Sequence, residues 1–451
     1  MPVEGERGAG VTQRLAVVRE RVQELGDQVL DARTKGLFLN PGESLRAAEV
    51  AERKWNVLKG DLDLPLMLLK ERELEHNIKV MADYCREHGV DLAPHGKTTM
   101  APQLFARQLE AGAWGITAAT AWQVRLMRSF GVPAILMANE LVDPVAIAWI
   151  LDELDAARGG EGAPFEFLCY VDSLAGIEII EGVVSERASR TPLPVLVELG
   201  YDNGRSGVRS VPDALTVARR AAQSPAVSLR GVSAFEGLVP ADSLEERLAA
   251  VQVYMDDLHR LVREVAEAGL CEGERIIVTS GGSSYFDIVT DTVGPAAFDV
   301  PVQTILRSGC YVTHDVEMYE ETSFLGGRPG VGKGLLAQSL EVWATVWSRP
   351  RPDLAIVGIG KRDVPYDYRL PVPLRTSRPG VDGWQEVEGA FEVLALNDQH
   401  AFVRLPPESD LAVGDWLVSG ISHPCGAFDK WAYLPVVDDS YTVVDGVFTF
   451  F

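Results

Sequence analysis

Cysteine is scarce in this chain. There are five, Cys85, Cys169, Cys271, Cys310 and Cys425, odd in number and without CxxC spacing. That excludes a secreted disulfide framework as the first reading and points to a reducing, cytoplasmic setting. No uninterrupted apolar run reaches membrane-spanning length, and charges at Glu4, Glu6, Arg7, Arg14 and Arg19 break up any signal-peptide core. Export and a membrane span therefore find no support. Basic residues are also in deficit: 42 against 65 acidic ones leave a formal charge of -23. Such a balance argues against broad attraction to nucleic acid or an anionic membrane surface, while a locally positive pocket can still hold a small anion. No GxGxxG follows a strand with an acidic residue some twenty positions on, which counts against an open dinucleotide-binding sheet. Internal repeats and long low-complexity tracts are missing too.

What is present is bulk and rhythm. With 451 residues, 47% of them apolar, the chain can build a large core and two domains. Val11, Leu15, Val18 and Val22 space a helix over 11–31, and a second helix is expected over 45–58. The strand-like run 65–69 and the helix 71–87 then open an alternation of short apolar strands and helices. It continues through strands at 112–117, 134–137, 165–170, 194–199, 228–233 and 275–279. Strands apolar on both faces and separated by helices imply a buried parallel sheet. About eight such units fit a closed (β/α)8 TIM-type barrel, so the fold class read here is α/β with a second, mostly β domain. From about residue 316 the strands become short, alternating and broken by Pro and Gly, as β structure demands. The division expected is 1–59 as an N-terminal helical extension, part of it packing on the β domain, 60–315 as the barrel and 316–451 as the β domain.

Four clusters carry chemistry. Lys97 lies in Asp91-Leu92-Ala93-Pro94-His95-Gly96-Lys97-Thr98-Thr99, where a strand ends in a polar turn. Barrel enzymes place reactive groups there, and an amine can form an imine with an aldehyde cofactor, although a lone lysine is ordinarily a surface residue. Ser280-Gly281-Gly282-Ser283-Ser284 follows a strand and can present backbone N–H groups and hydroxyls to a phosphate, or serve merely as a turn. Arg205, between Gly204 and Gly207, can lie under an aromatic ring, hold a carboxylate, or be a salt-bridged loop residue. His423 and Cys425, two apart on an extended segment, project to one side and can both approach a zinc ion, though HxC is a common pattern. His400, in the turn Asp398-Gln399-His400, is either a base or a packed histidine.

Taken together, Pro94-His95-Gly96-Lys97-Thr98, Trp114-Gly115-Ile116-Thr117, Gly204-Arg205-Ser206-Gly207, Phe235-Glu236-Gly237, Gly281-Gly282-Ser283, Arg307-Ser308-Gly309-Cys310-Tyr311 and His423-Pro424-Cys425 resemble, in order, the D-serine dehydratase and D-threonine aldolase group. That group belongs to the fold type III pyridoxal-phosphate enzymes related to alanine racemase. The resemblance spans roughly residues 60 to 435. It implies pyridoxal 5'-phosphate carried on Lys97, with His95, Arg205, Gly281, Gly282, Ser283 and Tyr311 around it, His400 as a further catalytic group, and Zn2+ on His423 and Cys425. It also implies a homodimer acting on a small amino-acid substrate. Cys425, where aldolases more often carry aspartate, leads to the expectation of zinc-assisted dehydration of D-serine or a related 3-hydroxy D-amino acid to a 2-oxo acid and ammonia. A metal-activated D-threonine aldolase is the alternative, ahead of a racemase or a non-enzymatic cofactor-binding protein. Ala93, where the group often has arginine, and the long N-terminal extension depart from the pattern.

Overall fold

The computed structural model describes residues 15–451 apart from 161, 188, 190 and 382. Val11, at the start of the first expected helix, lies outside them. That helix runs over 15–23 and gives way to a 3-10 turn, Glu24–Asp27. Strands β1 (Val29–Asp31) and β2 (Ser44–Arg46) then pair antiparallel. The helix expected over 45–58 is instead two 3-10 segments, Ala47–Arg53 and Val57–Lys59. Lys54, at left-handed φ 53°, ends the first. Asn56 caps the second by accepting the Leu58 N–H at 2.9 Å.

Strand β3 (Leu66–Lys70), read above as the first of the alternation, pairs elsewhere, as described below. The alternation itself becomes an incomplete barrel of eight parallel strands: β4 (Asp91–Leu92), β5 (Ile116–Ala118), β6 (Ala134–Glu140), β7 (Glu166–Val171), β8 (Leu193–Glu198), β9 (Val227–Ser233), β10 (Ile276–Ser280) and β11 (Val302–Leu306). Their order is β4-β11-β10-β9-β8-β7-β6-β5. At the seam between β4 and β5 the ladder is short. There Trp114 N–H donates to Leu92 O at 2.7 Å, Thr117 N–H to Pro94 O at 2.9 Å, and the Thr117 hydroxyl to Ala93 O at 2.6 Å. The interior is filled by side chains, Ala93, Leu136, Leu168, Tyr170, Leu196, Ile277 and Ile305, as small parallel barrels require. These strands belong to one compact unit, made chiefly of 81–97 and 108–309.

The second unit gathers Val22–Val80, Thr98–Arg107 and Cys310–Phe451. It contains β12 (Leu340–Arg351), β13 (Leu354–Val357), β14 (Val372–Ser377), β15 (Trp384–Glu386), β16 (Glu392–Leu396), β17 (Ala401–Arg404), β18 (Trp416–Gly420), β19 (Tyr433–Val437) and β20 (Val443–Phe448). β3 joins this sheet, antiparallel to β12 and parallel to β19. Its core joins Leu66, Leu68, Trp343, Trp416 and Tyr441 to Leu30, Leu37, Leu45 and Val57 from the first sixty residues. Apolar residues of the N-terminal segment from Leu30 to Val57 are thus buried in one core with the β sheet.

Candidate active site

Lys97 sits in a short 3-10 turn, Gly96–Thr98, directly after β4. It opens into a cavity of about 150 Å³ at the carboxyl ends of the barrel strands, shared with His95, Tyr170, Glu198, Arg205 and Arg307. Strand order brings these residues together. Tyr170 comes from the end of β7, Glu198 from the end of β8, and Arg307 follows β11. A larger cavity of about 680 Å³ lies at the opposite, amino-terminal ends, among Trp114, Phe165, Phe167 and Arg230. None of the residues expected to act in catalysis, cofactor binding or metal binding lines it, and parallel barrels carry their chemistry at the other face.

Arg205 lies over the Phe235 ring, its guanidinium carbon 4.5 Å from the centroid. The loop that places it is held from within: Arg209 donates to the carbonyls of Gly204, Arg205, Ser206 and Gly207, and the Gly207 N–H donates to Asp172 at 3.1 Å. Arg307 is buried, with donors committed to Thr279 Oγ1 at 2.8 Å and Ala234 O at 2.7 Å. Burial pushes His95 well below the usual imidazole range, and the charges of Lys97, Arg307 and Arg205 push the same way, so its ring is neutral. His95 Nδ1 is buried without a partner, as are Glu140 Oε1 and Glu198 Oε2. The Lys97 amine, the two guanidinium groups and the unpartnered His95 Nδ1 fit an anionic, hydrogen-bonding ligand such as pyridoxal phosphate.

The glycine turn has an occupant of its own. Gly281, at φ 86°, and Gly282 donate their N–H groups to Glu236 at 3.1 and 2.6 Å, and the Ser280 hydroxyl donates to the same carboxylate at 2.7 Å. Glu236 is fully buried. These two amides therefore hold an internal carboxylate, while Ser283 continues the turn toward the helix Phe286–Val293. Tyr311 is buried in the 3-10 segment Cys310–Val312 of the second unit. His400 is exposed before β17, its ring edge-on to Trp347 at 5.3 Å.

The zinc expectation is corrected. Among the described residues, no group of three or more His, Cys, Asp or Glu side chains is arranged to hold a metal ion. His423 Nδ1 is 2.6 Å from Asp367 Oδ2, and Cys425 Sγ lies 3.3 Å from Cys310 Sγ and 3.4 Å from Thr98 Oγ1. The hydrogen bond to Cys425 pushes His423 up to about 9, so the ring is protonated near neutrality. Hydrogen bonds from Cys310 and His423 hold the Cys425 thiol well below the usual range. His423 and Cys425 are thus tied to each other and to Asp367, Cys310 and Thr98, with their donors engaged by protein groups. Same-side projection in HxC is necessary for a shared metal but does not supply the further ligands a zinc site needs.

Sequence reasoning passed over Glu140 and Tyr170, and gave no site role to Phe235 and Arg307 although both stand in the motifs quoted for the resemblance. One signal for them existed: a polar or charged residue ending an apolar strand, as in Ala134–Glu140 and Leu193–Glu198.

Comparison with known proteins gives a consistent family. Residues 339–437 match the family described as "Putative serine dehydratase domain". The chain is 27% identical to a D-threonine aldolase of Arthrobacter sp over 348 residues, which cover 77% of this chain and 81% of the relative. It is 25% identical to a 3-hydroxy-D-aspartate aldolase of Paracoccus denitrificans (strain Pd 1222) over 371 residues, 80% of this chain and 89% of the relative. The crystal structure of a D-threonine aldolase from Filomicrobium marinum superposes with a TM-score of 0.68 at 21% identity, covering 86% of this chain and 95% of that one. With a parallel barrel, a lysine after β4 and an antiparallel β unit behind these matches, the chain is similar to the fold type III pyridoxal-phosphate enzymes, in the group of alanine racemase and the D-amino-acid aldolases and dehydratases.

Proposed function

We propose that this chain is a pyridoxal-phosphate-dependent aldolase that cleaves D-3-hydroxy amino acids to glycine and an aldehyde. The observation that carries a cofactor-dependent reading is the cavity uniting Lys97 with Arg205, Arg307 and a neutral His95. Preference for carbon–carbon cleavage over the dehydration first expected comes from the aldolases matched over about four fifths of the chain. The dehydration reading had leaned on a zinc pair that the donor geometry does not support.

In this reading Lys97 holds the cofactor through its amine. The cofactor would supply an electron-poor ring that takes up the electron pair left on Cα. Arg205 and Arg307 provide fixed positive charge for the anionic groups of ligand and substrate, and Arg307 is pre-oriented by Thr279 and Ala234. His95, neutral and buried, offers a hydrogen-bonding nitrogen without adding charge.

The test is product identity. Purified protein with cofactor is incubated with D- and L-threonine, D-serine and D-3-hydroxyaspartate, and glycine, aldehyde, 2-oxo acid and ammonia are measured separately. Glycine and aldehyde in equal amounts from a D substrate are expected. Formation of 2-oxo acid and ammonia instead overturns the aldolase reading. Lys97→Ala should abolish the visible absorbance of covalently held cofactor and lower turnover by at least about 100-fold.

A further inference from the structure

Two carboxyl groups at the carboxyl ends of the barrel strands, Glu198 buried and Glu140 half-buried, stand beside the Lys97 cavity without donors of their own. Glu140 is the last residue of β6 and Glu198 the last of β8; they flank β7, where Tyr170 is the register partner of Glu140. Glu198 lies close enough to the Glu140 carboxyl to favour its protonated form. Each keeps one buried oxygen, Glu140 Oε1 and Glu198 Oε2, with no donor. Glu236 nearby shows what a structural carboxylate looks like in this barrel: Ser280, Gly281 and Gly282 all donate to it. Among the described residues, no comparable set of donors serves the Glu140–Glu198 pair. A proton held between the two groups would meet part of the requirement of both, whereas two bare carboxylates in contact would repel.

We propose that Glu140 and Glu198 share one proton, and that Glu198, the member lining the Lys97 cavity, accepts the β-hydroxyl proton of the substrate. Glu140 is its positioning partner. This rests on the aldolase reading above. The step balances: the O–H bond breaks and its proton passes to Glu198. The oxygen becomes a carbonyl as the Cα–Cβ bond breaks, and the bond's electron pair stays with Cα. One proton returned from the pair to Cα completes glycine. A store that takes a proton at oxygen and gives one back at carbon needs no net exchange with water.

Burial first, then the hydrogen bond and charge of Glu198, push Glu140 up to about 8, with Asp172 adding in the same direction. The groups facing the pair from neighbouring elements are Cys169, Tyr170 and Asp172 at the end of β7, Tyr254 on the helix Leu244–Glu267, Arg307 after β11, Lys97 and His95 after β4, and Arg205 in the loop after β8. Below about pH 8 the pair holds its proton. Above it the pair carries two negative charges and repels an anionic substrate.

The experiment uses the cofactor-loaded protein and the variants Glu140→Gln, Glu198→Gln and Glu198→Asp, with cofactor retention followed by visible absorbance. Wild type should lose kcat/KM above about pH 8, and Glu140→Gln should move or remove that limb. Glu198→Gln should lose about 100-fold or more in kcat with cofactor still bound, and Glu198→Asp should recover part of it. An unchanged pH profile in Glu140→Gln, or kcat within about threefold of wild type in Glu198→Gln, overturns the proposal. Infrared difference spectra of the cofactor-free protein separate this from failure of the aldolase reading. A protonated-carboxyl band should vanish through about pH 8 in wild type and be absent in Glu140→Gln, whatever the enzyme cleaves. If wild type shows no such band, there is no shared proton.

Discussion

Lys97 and Arg205 stand out by local signals, an amine in the turn after a strand and an arginine between glycines, but it was the ordered set of motifs that suggested roles for them. Glu140 and Tyr170 gave no such signal, since nothing within a few positions of each says which other strand end it will meet. The HxC pair shows the opposite error. Its spacing is real, but the carboxylate beside His423 and the thiol beside Cys425 come from Asp367 and Cys310, 56 and 115 residues away. Glu236 is a third case, a charged residue inside an apolar stretch that turns out to tie two neighbouring strand ends together. Glu236→Ala would strand the N–H groups of Gly281 and Gly282 and the Ser280 hydroxyl in a dry interior. A loss of about 2–4 kcal/mol of stability is expected, read by chemical denaturation, together with weaker cofactor binding. Stability within about 0.5 kcal/mol of wild type would show that the turn holds itself.

The alternation of apolar strands and helices was readable at the level of elements because parallel strands buried on both faces leave a continuous hydrophobic signature. β11 escaped notice, its five residues Val302–Leu306 interrupted by Gln303 and Thr304. β3 was noticed but its sheet was not deducible, since an apolar run such as Leu66–Leu69 suits either a barrel or a β sheet. The 3-10 segments before it defeat periodicity for a related reason: caps such as Asn56 stop a turn before 3.6-residue spacing can express itself. Packing between elements also sets limits the sequence does not announce. At Gly231, φ is 154° and a Cβ would run into the carbonyl of Ile277, its register partner on β10. Gly231→Val should therefore cost about 3 kcal/mol or more by breaking the β9–β10 pairing, measured as a fall in the unfolding midpoint. A wild-type midpoint would mean that the two strands can move apart at little cost.

For the whole molecule, composition set the class correctly but could not choose among reactions on one scaffold. Dehydration and aldol cleavage use the same lysine and the same barrel, and differ in which proton moves and which bond breaks. That difference lies in the placement of a few groups around one cavity, which depends on strand order rather than on composition.

The pairing of β4 with β11 joins Asp91 and Leu92 to Ile305 and Leu306, with most of the barrel's length between them. A ladder closed over so long a loop forms late, since the intervening chain must be ordered before the contact is rewarded. Lys97 stands just past one partner and Arg307 just past the other. In refolding experiments, tryptophan fluorescence should therefore recover before the absorbance of captured cofactor, and a nascent chain shorter than about 310 residues should bind none. Coenzyme capture would then serve as a reporter of the final stage of assembly.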